Sequence, residues 1–145
     1  MIKGIRHTGL VVSNLNKSIY FFKKILGFKI FKHMDENGEF VETILNLKNV
    51  KLTTVKLKSK DGQMIELLKF HNIRKNKSEI KIFSQGLTHI SFDVDNINKT
   101  YNLLKKNNCK FLSKPKVNDD KTAKVVFCKG PDNFFLELVH HLTQH

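Results

Sequence analysis

The strongest constraint on this chain is that it repeats itself. Arg6-His7-Thr8-Gly9-Leu10-Val11-Val12 and Thr88-His89-Ile90-Ser91-Phe92-Asp93-Val94 are both short alternating stretches with a histidine near the start. Each runs into the same kind of helix start, Asn14-Leu15-Asn16-Lys17-Ser18 and Asn96-Ile97-Asn98-Lys99-Thr100. A strand, a histidine and a helix start recurring in register describe one supersecondary unit used twice. In a strand, successive side chains point to opposite faces. His89, Ser91 and Asp93 therefore face away from Thr88, Ile90, Phe92 and Val94, and His7 likewise faces away from Thr8, Leu10 and Val12.

In the first unit, Ile5 to Val12 reads as a strand and Asn14 as the cap of a helix whose apolar stripe is Leu15, Ile19, Phe22 and Leu26. Gly27 stops that helix. Phe28 to Met34 is expected as a second strand, ending in a turn over Asp35-Glu36-Asn37-Gly38. Phe40 to Leu47 has spacing that fits helix or strand, and a short helix or irregular flap is the favoured reading. Lys51 to Lys58 and Gln63 to Phe70 then form a hairpin around Lys60-Asp61-Gly62.

The second unit follows the same order. It has a strand over Leu87 to Val94, a helix from Asn96 to about Asn107 with Ile97, Tyr101 and Leu104 inward, and a short strand near Lys110 to Leu112. A strand over Ala123 to Lys129, a turn at Gly130-Pro131-Asp132-Asn133 and a strand from Phe134 to His140 complete it. The last strands match at a shorter offset, so unit one carries an insertion in the region 35–50, the first candidate for a lid or substrate loop. The expected class is α+β: two βαβββ modules, 4–70 and 87–140, joined by a polar, lysine-rich linker 71–86, forming one domain over 1–142. The modules are expected to make a cupped, open, barrel-like mixed sheet around a metal site.

Glu66 and Glu137 interrupt otherwise apolar strands, Met64-Ile65-Glu66-Leu67-Leu68 and Phe135-Leu136-Glu137-Leu138-Val139. An unpaired buried carboxylate is costly, so something must compensate each one. Both glutamates face away from the apolar side of their strands, as His7 and His89 do. If the two sheets curl around a shared hollow, two imidazoles and two carboxylates converge on one divalent cation, which supplies the compensation. Such a set suits Ni, Co, Zn, Mn or Fe(II), and not calcium or a structural thiolate zinc. A lone strand histidine is more often a core or surface group, and a lone strand glutamate a solvated one. What favours the ligand reading is that equivalent positions of both copies hold His, and both hold Glu.

The remaining histidines read as solvated or strand-end residues: His33 before a turn, His71 in the linker, His140, His141 and His145 near the C-terminus. Tyr20 and Tyr101 read as core, and Cys109 and Cys128 as buried thiols. Two cysteines without CxxC spacing, and a start at Met1-Ile2-Lys3 with no apolar leader, point to a cytoplasmic protein, with no membrane span. Twenty-six Lys and Arg against thirteen Asp and Glu give a formal charge of +13. All but Arg6 and Arg74 are lysines scattered along the chain without a recognition motif, so nucleic acid is not the expected partner and a small anionic substrate is. No nucleotide-binding loop, nucleophile elbow or zinc-finger spacing is present.

Paired βαβββ units with His opening each and Glu in the last strand of each, after a D-G or D-N turn, resemble the vicinal oxygen chelate superfamily from about Gly4 to Leu142. That group includes glyoxalase I, methylmalonyl-CoA epimerase, extradiol dioxygenases, fosfomycin-modifying enzymes and bleomycin-resistance proteins. The resemblance implies His7, Glu66, His89 and Glu137 as ligands of one divalent metal, a set most similar to that of glyoxalase I. It implies a lyase or isomerase that moves a proton beside a metal-bound carbonyl, with Glu137 as base and Glu66 exchanging roles with it. Glutathione is the cosubstrate that glyoxalase I uses, though no set of Arg and Asn residues for it stands out here. The resemblance also implies a small carbonyl or thioester substrate and a homodimer, the modules pairing within a chain or across two.

An epimerase is an enzymatic alternative, for which Glu42 in the insertion is the one candidate second base, and an Fe(II) dioxygenase is another. A small-molecule binding or resistance protein is the non-enzymatic alternative.

Overall fold

In a computed structural model, residues 1–74 and 79–142 are described, and the chain divides into two compact units, Met1–Asn76 and Lys77–His145. The first contains β1 (Thr8–Val11), α1 (Leu15–Tyr20) running into a π-helical turn over Phe21–Ile25, β2 (Lys29–Asn37), α2 (Glu39–Leu45), β3 (Lys51–Lys58) and β4 (Met64–Phe70). The second contains β5 (His89–Asp93), α3 (Ile97–Lys106), β6 (Lys110–Phe111), β7 (Lys116–Val117), β8 (Ala123–Lys129) and β9 (Phe135–His141).

The two sheets share one plan. Unit one is ordered β1-β4-β3-β2, and unit two β5-β9-β8-β6, with β7 also pairing with β8. In each, the first strand runs parallel to the last and the remaining ladders are antiparallel. The parallel pairing requires a crossover, and the helix supplies it. The fold is α+β, two βαβββ modules each with a mixed sheet, as the repeat implies.

The doubled helix starts are working caps. The Asn14 side chain accepts a hydrogen bond from the Lys17 N–H, and that of Asn96 one from Lys99, both at 3.0 Å, which satisfies a backbone donor that the helix leaves open. Gly27 follows the first helix at φ +78, the left-handed region that glycine occupies without strain.

The first helix departs from its expected stripe. Phe22 is wholly buried, but Phe21 is buried beside it, whereas Leu15, Ile19 and Leu26 are only partly covered. The wider π turn, closed by Leu26 N–H to Phe21 O at 3.0 Å, carries both phenylalanines inward. Their rings meet edge-on at 5.5 Å, and Phe22 meets Phe28 at 5.6 Å. Tyr20, expected in the core, is instead exposed. On unit two's helix Ile97 and Leu104 are buried, and Tyr101 lies half-buried against Phe111 with ring centroids 4.3 Å apart.

β2 continues through Asp35, Glu36 and Asn37, where a turn was expected. Pairing with β3 extends the strand to Asn37↔Lys51, and two threonines of β3 take up the acidic side chains. Thr53 Oγ1 donates to Asp35 at 2.6 Å and Thr54 Oγ1 to Glu36 at 3.1 Å. The ambiguous 40–47 stretch is the short helix α2, which ends at Asn46 in the left-handed region. Its Val41 is buried in a cluster with Val50 and Leu52, against Leu68 and Phe70. Leu68 and Phe70 alternate with Leu67 and Lys69 and so share the face of Glu66. The insertion thus lies over one end of the face that carries unit one's candidate ligand.

Candidate metal centre

In unit one the parallel ladder sets Gly9 opposite Glu66, and His7 sits just ahead of β1. Ile65 and Leu67 are buried on the opposite face, so burial of the apolar side of β4 forces the glutamate to this one. His7 Nε2 lies 3.8 Å from Glu66 Oε1. In unit two Ser91 is opposite Glu137, Leu136 and Leu138 are buried on the opposite face, and His89 Nε2 lies 3.7 Å from Glu137 Oε2. The repeat thus yields the same histidine–glutamate pair twice, with nearly the same separation.

The surroundings of the pairs differ. On β3, Lys56 stands directly across the ladder from Glu66, and its Nζ lies 3.1 Å from Glu66 Oε2. With side-chain exposures of 16% and 13%, both partners are largely withdrawn from water. Glu66 is therefore compensated by an ammonium already in the fold, which sequence reasoning missed. The signal was there: counting back from the Lys60-Asp61-Gly62 turn places Lys56 opposite Glu66. In unit two the corresponding residue is Phe127, opposite Glu137, and its ring meets that of His89 edge-on at 5.2 Å.

The donors themselves suit a divalent cation. In each pair Nε2 is the imidazole nitrogen that approaches the carboxylate. Two ligands on one ion at bond lengths of about 2.0–2.2 Å lie roughly 3–3.5 Å apart, slightly closer than these pairs now stand. The Nδ1 atom of His7 is buried without a hydrogen-bond partner, so this ring is not committed to a structural hydrogen bond at that nitrogen. Within each unit, among the described residues, no third His, Cys, Asp or Glu joins the pair. Each pair taken alone offers one imidazole nitrogen and one carboxylate.

Three of the other histidines have local partners. His71 Nε2 lies 2.8 Å from Thr53 Oγ1, His140 Nδ1 donates to the Val94 carbonyl at 3.0 Å, and exposed His141 faces Asp93 at 3.3 Å. His33 is exposed on β2 and Glu42 lies on α2; His145 and residues 75–78 of the expected linker lie outside the described residues. Cys109 and Cys128 are both buried. A hydrogen bond between their side chains, with burial, pushes the Cys128 thiol up, and the same bond holds Cys109 down. No helix among the described residues is long and apolar enough to cross a membrane.

Comparison with known proteins agrees with this plan. The chain is 30% identical over 144 residues to a lactoylglutathione lyase of Schizosaccharomyces pombe, covering 93% of this chain but 46% of that protein. It thus spans about half the length of that relative. A probable lactoylglutathione lyase of Synechocystis is 26% identical over 134 residues, covering 92% of each chain. A glyoxalase family protein from Bacillus cereus superposes with a TM-score of 0.90, at 18% identity, over 99% of this chain and 97% of that one, a likeness of fold. The family model that matches covers residues 4–138, nearly the whole of both modules, and the chain belongs to the Glyoxalase/Bleomycin resistance protein/Dioxygenase superfamily.

Proposed function

We propose that this protein is a divalent-metal-dependent lyase or isomerase of the glyoxalase I type, acting on a small anionic carbonyl compound. The observation that carries the reading is the repeated histidine–glutamate pair, His7 with Glu66 and His89 with Glu137, at equivalent places in two modules. The names of the fission yeast and cyanobacterial relatives support it. The two pairs, brought together within one chain or across a homodimer, would hold one Ni, Co, Zn, Mn or Fe(II) ion. Such an ion supplies Lewis acidity to a substrate oxygen and so lowers the pKa of the neighbouring C–H.

The protein's own groups move the proton. Glu137, which has no lysine against it among the described residues, takes the proton from the carbon beside the carbonyl. In an isomerisation the proton taken by Glu137 is delivered to the adjacent carbon by way of Glu66, which exchanges roles with it, so that both carboxylates end the cycle deprotonated as they began. Both carboxylates are partly covered on the sheet face, and α2, packed over one end of unit one's face, is placed to contribute to a substrate pocket. We further assign the protein to the cytoplasm, and glutathione as the thiol of the substrate adduct.

The test is metal content of the purified full chain, for wild type and Glu137→Ala. An assay of the stripped protein reloaded with Ni, Co, Zn, Mn or Fe(II) follows, with the hemithioacetal of methylglyoxal and glutathione as substrate. About one equivalent per site in wild type, lost in the variant, with turnover restored by Ni, Co or Zn, is expected. Metal without turnover would move the reaction to an epimerase or dioxygenase substrate. No uptake of any metal would leave a ligand-binding protein.

A further inference from the structure

The two histidine–glutamate pairs are built from the same repeat, yet among the described residues only Glu66 is ion-paired to a lysine; in unit two Lys129, on the face of Glu137, pairs with Glu79 instead. Lys56 is in β3, the central strand of its ladder set, between Lys32 on β2 and Glu66 on β4. Lys32 is directly opposite, so its charge repels the Lys56 ammonium while Glu66 attracts it, and like charges opposite one another across a ladder destabilise each other. The Lys56 side chain lies against Glu66 Oε2, 3.1 Å away, leaving Oε1 toward His7. In unit two the place of Lys56 is taken by Phe127, which packs on His89 and leaves Glu137 with no ammonium among the described residues.

We propose that Lys56 is a built-in competitor for the metal. Its ammonium occupies Glu66 in the metal-free protein, so that a divalent ion gains the His7–Glu66 pair only by displacing it or by sharing the carboxylate with it. The inference rests on the metal-site reading above and deepens it, because it makes the halves unequal. His89 and Glu137 are the half open to a metal, and His7 with Glu66 is the half whose engagement Lys56 opposes. It also accounts for how Glu66 tolerates burial before any metal arrives, a state in which an unpaired carboxylate would be costly. A unit charge a few ångströms from a divalent ion, in a site only partly exposed to water, changes affinity by roughly ten- to a hundredfold.

The experiment is a titration of the metal-stripped full chain with Co(II) and with Zn(II) against a chromophoric chelator, which reads affinity without turnover. The variants are Lys56→Met, Lys32→Met, and Lys56→Met combined with Glu66→Gln. Removal of Lys56 is expected to tighten binding at least about tenfold; removal of Lys32, which lowers the net charge equally, should change it far less. The gain should vanish when Glu66 is also neutralised. Lys56→Gln keeps a hydrogen-bond donor for Glu66 without the charge and gives the same reading should the Met variant fail to fold. Binding by wild type that is unchanged or weakened in Lys56→Met would overturn the inference while leaving the metal site standing, as would an equal gain in Lys32→Met. Binding seen only after Lys56 is removed would support both. No binding in any variant would remove the metal site and the competitor together.

Discussion

Lys56 and Phe127 hold the same position in two copies of one module, each directly across the ladder from a glutamate, and they give those glutamates opposite surroundings. Glu66 is ion-paired at 3.1 Å, whereas Glu137 has an aromatic ring across from it and a histidine 3.7 Å away. Removing the ammonium leaves Glu66 partly buried with only the His7 ring, 3.8 Å away, beside it. Lys56→Met is expected to lower unfolding free energy by about 1–3 kcal/mol. Adding Glu66→Gln should recover part of the loss, because the stranded charge is gone. Urea denaturation in the presence of a chelator measures both, and a double variant that loses the sum of the single losses would contradict the pairing.

A second polar cluster ties the end of unit one's sheet. Thr53 is buried; its hydroxyl donates to Asp35 on β2, so it must accept from His71 Nε2 beyond β4. A hydroxyl has one proton, and this assignment places the His71 proton on Nε2. Thr53→Val keeps the shape and removes both bonds, and is expected to cost about 1–2 kcal/mol in urea denaturation. It should also release the His71 ring, visible as a shift of its nitrogen resonances.

Glu79 gives a pH signature through Lys129, whose strand partner Phe135 is itself paired with His89. Hydrogen bonds from Lys81 and then Lys129 hold its carboxyl at about 2, against an ordinary value of 4.5. A carboxyl whose folded pKa is depressed contributes stability above its ordinary value and loses it as pH falls through the folded one. The contribution is therefore complete above about pH 4.5 and fades toward pH 2. Because the group is exposed to solvent, screening keeps the energy small, and the carboxyl resonance is the better measure. Its titration midpoint should rise toward the ordinary value in Lys129→Met, and rise further when Lys81 is also replaced.

The parts legible in the sequence were those that two copies state twice. Strand, cap and helix recur at His7 and His89, Asn14 and Asn96, and the glutamates fall on the expected faces because Ile65, Leu67, Leu136 and Leu138 need the opposite one. What the sequence obscured depends on partners distant along the chain. Asp35-Glu36-Asn37 has turn chemistry, and becomes strand because Thr53 and Thr54 accept the burden of its side chains. β7 is two residues of backbone pairing with no apolar pattern to announce it. Lys56 looks like any solvated lysine in an alternating strand until the register sets it against Glu66. Tyr20 ends the regular part of the helix one residue after half-buried Ile19 and lies outside, while the π turn that follows carries Phe21 and Phe22 inward.

α2 is held by one buried side chain. Val41 enters the cluster of Val50, Leu52, Leu68 and Phe70, while Phe40 and Ile44 on the same helix stay exposed, the former at 71%. A seven-residue helix is not stable by itself, so its order depends on that contact. Val41→Ala removes apolar area worth about 1–2 kcal/mol, and amide exchange across 39–45 should accelerate roughly tenfold by local opening. The amides of β3 and β4, bonded to each other along their length, should hardly change. Acceleration spread evenly through unit one would mean that the insertion unfolds only with its sheet, and that it is part of the core and not a cover able to move over the Glu66 face.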